Sequence, residues 1–200
     1  MMRANLSQEA VILAAAELAD QQGFEAVTVS ALARRFDVKP ASLYSHVRDR
    51  AAVLDGLHEL ALGELAALIA EETAGRSGRD ALAGLAGAHR RYAREHPGRW
   101  AAMQQPAREQ TVRSGEAARV VTLIWAVLRA YDLPDDELVH ATRLVGATIN
   151  GFLALERSGS FGHRTDSAAL SWERAVDALD LALRAWPGGG TSLSRKTTSA

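Results

Sequence analysis

Apolar residues recur along nearly the whole chain at the 3.6-residue spacing of an α-helix, and the in–out alternation of a strand is missing. That pattern commits the chain to an all-α fold. Ile12, Ala15, Ala16 and Ala19 share a face of a first helix that Ser7 caps and Gly23 ends near Gln22. Val29, Leu32, Ala33 and Phe36 fall at i, i+3, i+4 and i+7 of a short second helix capped by Thr28. After a turn at Asp37-Val38, a third helix spans about 39–47, with Leu43 and Val47 inward, and Asp49 caps a long fourth helix to about Ala74. Further helices are predicted at about 80–95, from Pro97 through "GRWAAMQ", at 116–131, from "DLPDDE" to about Arg157, and at 170–186. A polar connection is predicted over 106–115. The count is about nine helices, with three short ones in the first 50 residues and the fourth bridging to the rest.

A chain of 200 residues that is 48% hydrophobic can bury a core of one large or two small domains. With no cysteine, disulfides and thiolate metal sites are excluded. The N-terminal segment meets Glu9, Glu17 and Asp20 before any signal-peptide core can form. The longest mostly apolar run, 120–128, is far short of the roughly 20 residues of a membrane span. The expectation is a soluble cytoplasmic protein with no membrane partner and no cofactor. "PGGGTSLSRKTTSA" has the composition of a disordered tail, placed at 188–200.

Two short helices around a tight turn, over about 28–47, have the layout of a helix-turn-helix. In that motif the second helix enters the DNA major groove, about 12 Å wide, so it must be slim where it meets the bases. Ala41, Ser42 and Ser45 are slim, and Pro40 sits where its missing N–H costs nothing. Lys39 can reach a guanine edge or a phosphate; Tyr44 and His46 can bond phosphates from the flank. Arg34 and Arg35 lie opposite the apolar face of helix two, and Thr28 and Ser30 stand at its start. Between Thr28 and Arg50 five basic residues face two acidic ones, a local +3 in a chain of net charge -1. Such a patch suits phosphates. Spacing alone leaves a second reading open: three ordinary bundle helices with a solvated face, an interaction module that binds no DNA.

The segment "VTVSALARRFDVKPASLYSHVRDRAAVLDGL" resembles the DNA-binding segment of the Tet repressor (TetR) family. The resemblance rests on Leu32-Ala33, on Leu43-Tyr44-Ser45-His46-Val47, and on Asp49-Arg50-Ala51-Ala52-Val53-Leu54. Upstream, "ILAAAELADQQGFEAVTV" is similar to the family's first helix and Gly-Phe turn, so the likeness covers about 7–60. It departs where the family usually has glycine between the two helices; here Asp37 stands, a residue that tolerates left-handed backbone. The resemblance implies that Thr28, Ser30, Lys39, Pro40, Ala41, Ser42, Tyr44, His46 and Arg50 line the DNA. Arg34 joins them from the basic patch.

The resemblance further implies a helical half, 51–187, that dimerises and binds a small-molecule effector, behind a DNA-binding domain of 1–50. The expected function is a ligand-responsive regulator: a homodimeric repressor on a palindromic operator, released by effector. Two apolar stripes compete for the dimer interface: Trp172, Val176, Leu179, Leu183 and Trp186, and Leu138, Val145, Ile149 and Phe152. Each can equally be internal core. His89, Tyr92, Trp100, Met103, Trp125 and Asn150 are the candidate pocket residues, combining apolar walls with a few polar groups. Asn150-Gly151 stands where related chains often carry His-Gly. An enzyme reading rests on Glu137-x-x-His140, the spacing of di-iron carboxylate bundles. That chemistry needs a second copy, and the nearest is Asp55-x-x-His58; neither a metal site nor catalysis is expected.

Overall fold

The computed structural model describes residues 6–163 and 165–187, and all regular structure among them is helical. The tail expected at 188–200 lies outside the described residues. The helices are α1 (Gln8–Gln22), α2 (Val29–Arg35), α3 (Pro40–Leu43), α4 (Arg50–Thr73), α5 (Gly78–Glu95), α6 (Pro97–Met103), α7 (Glu109–Val112), α8 (Gly115–Leu128), α9 (Leu138–Arg157) and α10 (Ala168–Arg184). Short 3-10 turns follow α1 and α8 and precede α9.

Local chemistry sets most of these ends. Ser7 accepts a hydrogen bond from the Ala10 amide, and Gly23, at φ 90°, closes α1 by donating to Ala19. Thr28 accepts from Ala31 and starts α2. Asp37, at φ 54°, ends it. The Asp37 amide donates to Arg34 (3.2 Å) and that of Val38 to Ala33 (3.0 Å), so the left-handed residue completes a Schellman closure. Asp49 Oδ1 accepts from the Ala52 amide at 2.8 Å and starts α4.

Three segments differ from the sequence expectation. The third helix was predicted over 39–47, but α3 is one turn long. Ser45 Oγ donates to the Ser42 carbonyl (2.7 Å) and the His46 amide to Leu43 (2.9 Å), a local bonding pattern that loosens the helix into turns before Val47. The predicted polar connection contains α7, held by Thr111, which is 1% exposed. The predicted apolar helix over 116–131 is α8 closed by a 3-10 turn, ended by Asp132 in left-handed conformation.

The chain divides into two compact units. The first comprises residues through Glu72 together with Gly87–Leu123. Its core joins Val11, Ala15, Leu18, Leu32, Leu43, Val47, Val53 and Leu57, with Ala102 of α6 packed in. Gly98 is needed there: a Cβ would run into the Ala19 carbonyl and the Asp20 amide of α1.

The second unit comprises Thr73–Ala86 and the residues from Ile124 on. Here both stripes that were candidates for a dimer face turn inward: Val145 and Ile149 of α9 and Trp172, Val176, Leu179 and Leu183 of α10 are buried. Phe152 packs on Phe161 and Trp172, with ring centroids 4.9 and 5.1 Å apart. Trp186 is half-buried and donates its indole N–H to Glu137 Oε2 at 3.0 Å. Glu137, half of the Glu-x-x-His pair, is thus occupied by an indole, and His140 is exposed. Tyr131 and Arg184 bond the two oxygens of Asp180 at 2.8 Å each, and burial together with Asp180 pushes the phenol up. Residues Asp135–Arg157 are long and apolar enough by composition to cross a membrane, with an 18-residue window of mean hydropathy 1.3. Ala141, Val145, Ile149 and Leu153 of α9 form its buried side.

Candidate nucleic-acid interface

The helix-turn-helix is built outward from two anchors. Leu43 is 0% and Val47 4% exposed, which pins α3 by one side to α1 and α2. The other side, Lys39, Pro40, Ala41, Ser42, Tyr44 and Ser45, is exposed, and the Tyr44 ring is 54% accessible. Thr28, Ser30 and Arg34 are exposed as well, and His46 is half-buried. Among the described residues nothing of the first unit covers this face.

Its five cations differ in what holds them. Arg35 is tied back to Glu17 and Gln21 of α1. Arg48 pairs with its neighbour Asp49 at 3.0 Å. Arg50 Nε donates to the Val27 carbonyl at 2.7 Å, which locks the start of α4 to the entry of α2. Among the described residues, Arg34 and Lys39 are exposed and have no ion-pair partner. The N-cap bond from Ala52, reinforced by Arg48, holds the Asp49 carboxyl below the usual carboxylate range.

Behind the face lies a polar network that sequence reading missed. Asp20, near the end of α1, accepts at Oδ1 from the amides of Gly98 (2.9 Å) and Arg99 (3.0 Å), the first free N–H groups of α6. Its Oδ2 lies 3.0 Å from Arg99 Nε and 3.4 Å from His96 Nδ1. Arg99 reaches on to Glu64 Oε1 of α4 at 2.8 Å, and Tyr92 of α5 donates to Glu64 Oε2 at 2.7 Å. Burial and Glu64 push the Tyr92 phenol far up, so it remains a donor. α1, against which α2 packs, is thus wired to α4, α5 and α6. The signal in sequence was "HPGRW": a proline-initiated helix with glycine beside it wants a carboxylate partner and a close neighbour. Nothing local says which carboxylate supplies it.

The candidate pocket residues fall in both units. His89, Tyr92 and Trp100 are buried and Met103 half-buried in the first. In the second, Trp125 is 39% exposed, and Asn150 is half-buried with its amide donating to the Gly146 carbonyl at 3.0 Å. A cavity of about 510 Å³ lies at the α9–α10 loop, between Phe161, His163, Leu170 and Arg174, and contains none of the six. A shallower one of about 390 Å³ lies between α1 and α4.

A tri-helical module with one helix pinned inward and exposed outward defines a helix-turn-helix DNA-binding protein. Residues 11–57 match the family described as bacterial regulatory proteins, tetR family, and residues 82–179 match the tetracyclin repressor-like C-terminal domain. The chain is 31% identical over 163 residues to Rv0681 of Mycobacterium tuberculosis, described as an uncharacterised HTH-type transcriptional regulator; the match covers 78% of this chain and 72% of that one. In fold it is similar to the TetR family protein ActR of Streptomyces coelicolor, solved in complex with (S)-DNPA (TM-score 0.72, 19% identity, 94% and 100% of the two chains). It is also similar to BioQ, solved with its natural double-stranded DNA operator (TM-score 0.65, 23% identity, 88% and 99%). The chain belongs to the TetR family of transcriptional regulators: a helix-turn-helix DNA-binding module followed by the family's helical C-terminal domain.

Proposed function

We propose that this protein is a homodimeric repressor that binds a palindromic operator and leaves it when a small molecule binds the helical half. The carrying observation is the outward side of α3, slim at Ala41 and Ser42, flanked by Lys39 and Tyr44, and free of cover from its own unit. In this reading Lys39, Pro40, Ala41 and Ser42 approach base edges. Thr28, Ser30, Arg34, Tyr44 and His46 hold phosphates, and Arg50 chiefly positions α4 through Val27. Residues 1–50 act as the DNA-binding domain and 51–187 as the effector and dimerisation domain. A regulator of this kind works in the cytoplasm, where the operator is, and needs no catalysis or cofactor. The ligand-bound and DNA-bound states of the similar solved proteins support the two activities.

The effector signal has a physical route. Tyr92 and Trp100 sit beside the Glu64–Arg99–Asp20 network, with His89 and Met103 as neighbours on the same helices. Trp125 and Asn150 are kept as candidates from the second unit. A ligand that disturbs Tyr92 or Arg99 moves α6, and α6 lies directly on α1. By linkage, operator DNA then weakens the ligand by the same factor. The dimer uses the outward faces of α9 and α10, where Leu144, Leu155, Leu170 and Leu181 are exposed.

The test is fluorescence anisotropy with labelled duplexes. Tyr44→Ala is expected to weaken binding to all sequences alike, about tenfold, and Lys39→Ala to narrow the gap between selected and random DNA. If neither variant changes binding, α3 is not the reading element.

A further inference from the structure

On the first unit, α4 presents Asp55, Glu59 and Gly63 at successive turns of one side. That side faces α7 and the start of α8. Arg108 reaches Asp55 Oδ2 at 3.1 Å at one end. At the other, Glu116 lies so close to Gly63 that a Cβ there would stand 3.1 Å from Glu116 Oε2. Between these contacts in the chain sits Thr111 of α7, three residues after Arg108 and 1% exposed, so its hydroxyl is buried.

The charges of this strip do not balance. Asp55 has Arg108, whereas Glu59 and Glu116 have no cationic partner among the described residues. Glu116 Oε2 and Thr111 Oγ1 are out of reach of solvent and have no hydrogen-bond partner there. Burial, with Asp55 and Glu116 close by, pushes the Glu59 carboxyl up. Burial also holds His58, on the same helix, below the ordinary imidazole range, so it is neutral at pH 7 and offers no countercharge. A buried carboxylate oxygen without a partner, as at Glu116, is costly, and a buried threonine oxygen wants a donor. Among the described residues no group of three carboxylates or imidazoles converges to hold a metal ion. A primary ammonium fits instead: three N–H donors for three acceptors, and a positive charge for the excess negative one.

We propose that Glu59, Glu116 and Thr111 form the polar end of the effector site and take the ammonium group of an amphipathic amine. This assignment rests on the ligand-responsive reading above. Gly63 is the positioning residue that lets the Glu116 carboxylate lie against α4.

The test is calorimetric titration of the full chain at pH 7.5 with 4-phenylbutylamine and with 4-phenylbutanol, the same shape without charge. The amine is expected to bind at least tenfold tighter than the alcohol. In E59Q/E116Q the difference should fall below twofold with alcohol affinity unchanged. Gly63→Ala, which keeps both carboxylates but displaces one, should weaken the amine several-fold and spare the alcohol. Equal affinity for the two probes, failure of both to bind, a preference that survives E59Q/E116Q, or displacement of the amine by stoichiometric magnesium each overturns the proposal. Binding of the same preparations to duplex DNA is measured alongside. Its loss in the wild-type chain counts against the regulator reading, and the amine result still decides this site.

Discussion

Asp20 works as a cap, an ion-pair partner and a helix tether at once. Its side chain is 16% exposed; it accepts from two amides of α6 and lies in ion-pair distance of Arg99. Asp20→Ala leaves those amides without their acceptor and a half-buried guanidinium with one carboxylate, Glu64, instead of two, at a cost of about 2–4 kcal/mol. A fall in the thermal melting midpoint checks it, and a midpoint unchanged within a degree contradicts it. His58 makes a pH prediction of definite sign. Burial lowers its folded value below the ordinary 6.5, so the unfolded chain takes up the proton first. The stability it contributes is whole above pH 6.5 and is lost as pH falls through its depressed folded value. His58→Gln should therefore flatten the decline of the melting midpoint between pH 7 and 5. The candidate interface residues could be named from sequence because the motif is local: slim residues after Lys39-Pro40, and the anchors Leu43 and Val47, which are buried. Asp20, Glu64 and Arg99 were not, because each is ordinary until tertiary packing brings α1, α4 and α6 together.

The helices whose ends carry a cap in the sequence start and stop where chemistry says. Ser7, Gly23, Thr28 and Asp49 each supply or end a turn as their side chains or backbone freedom dictate. α3 is shorter than its apolar spacing predicts because the Ser45 hydroxyl donates to the Ser42 carbonyl, a competition that periodicity does not register. α7 was missed for the opposite reason: its four residues are mostly polar, and only the burial of Thr111 marks them. The contact of α6 with α1 yields the sharpest test at this scale. Gly98→Ala forces a methyl into the Ala19 carbonyl and should cost about 1–3 kcal/mol while changing operator affinity, since α6 must lift from α1. Gly87→Ala is the control. It is helical, nothing stands within 4 Å of the added Cβ, and it should stabilise by about 0.5–1 kcal/mol without touching DNA binding.

For the whole molecule, the decisive inference from packing is that the two obvious apolar stripes are spent inside the second unit. Sequence periodicity could identify both as buried but could not say against what, since a core and a dimer interface ask for the same residues. The leucines left outside, Leu144 and Leu155 on α9 and Leu170 and Leu181 on α10, are the ones a second copy would cover. Replacing Leu144 and Leu155 together by glutamate should convert dimer to monomer in light scattering and abolish tight operator binding. A dimer that persists moves the interface elsewhere. The most direct test of the central claim is selection of bound duplexes from a random pool by the full-length protein. The prediction is a two-fold symmetric sequence whose half-sites lie one helical turn apart, about 34–36 Å or a multiple of it, with affinity falling steeply as salt rises. A pool that emerges without any enriched sequence, or bound with no dependence on salt, would contradict it.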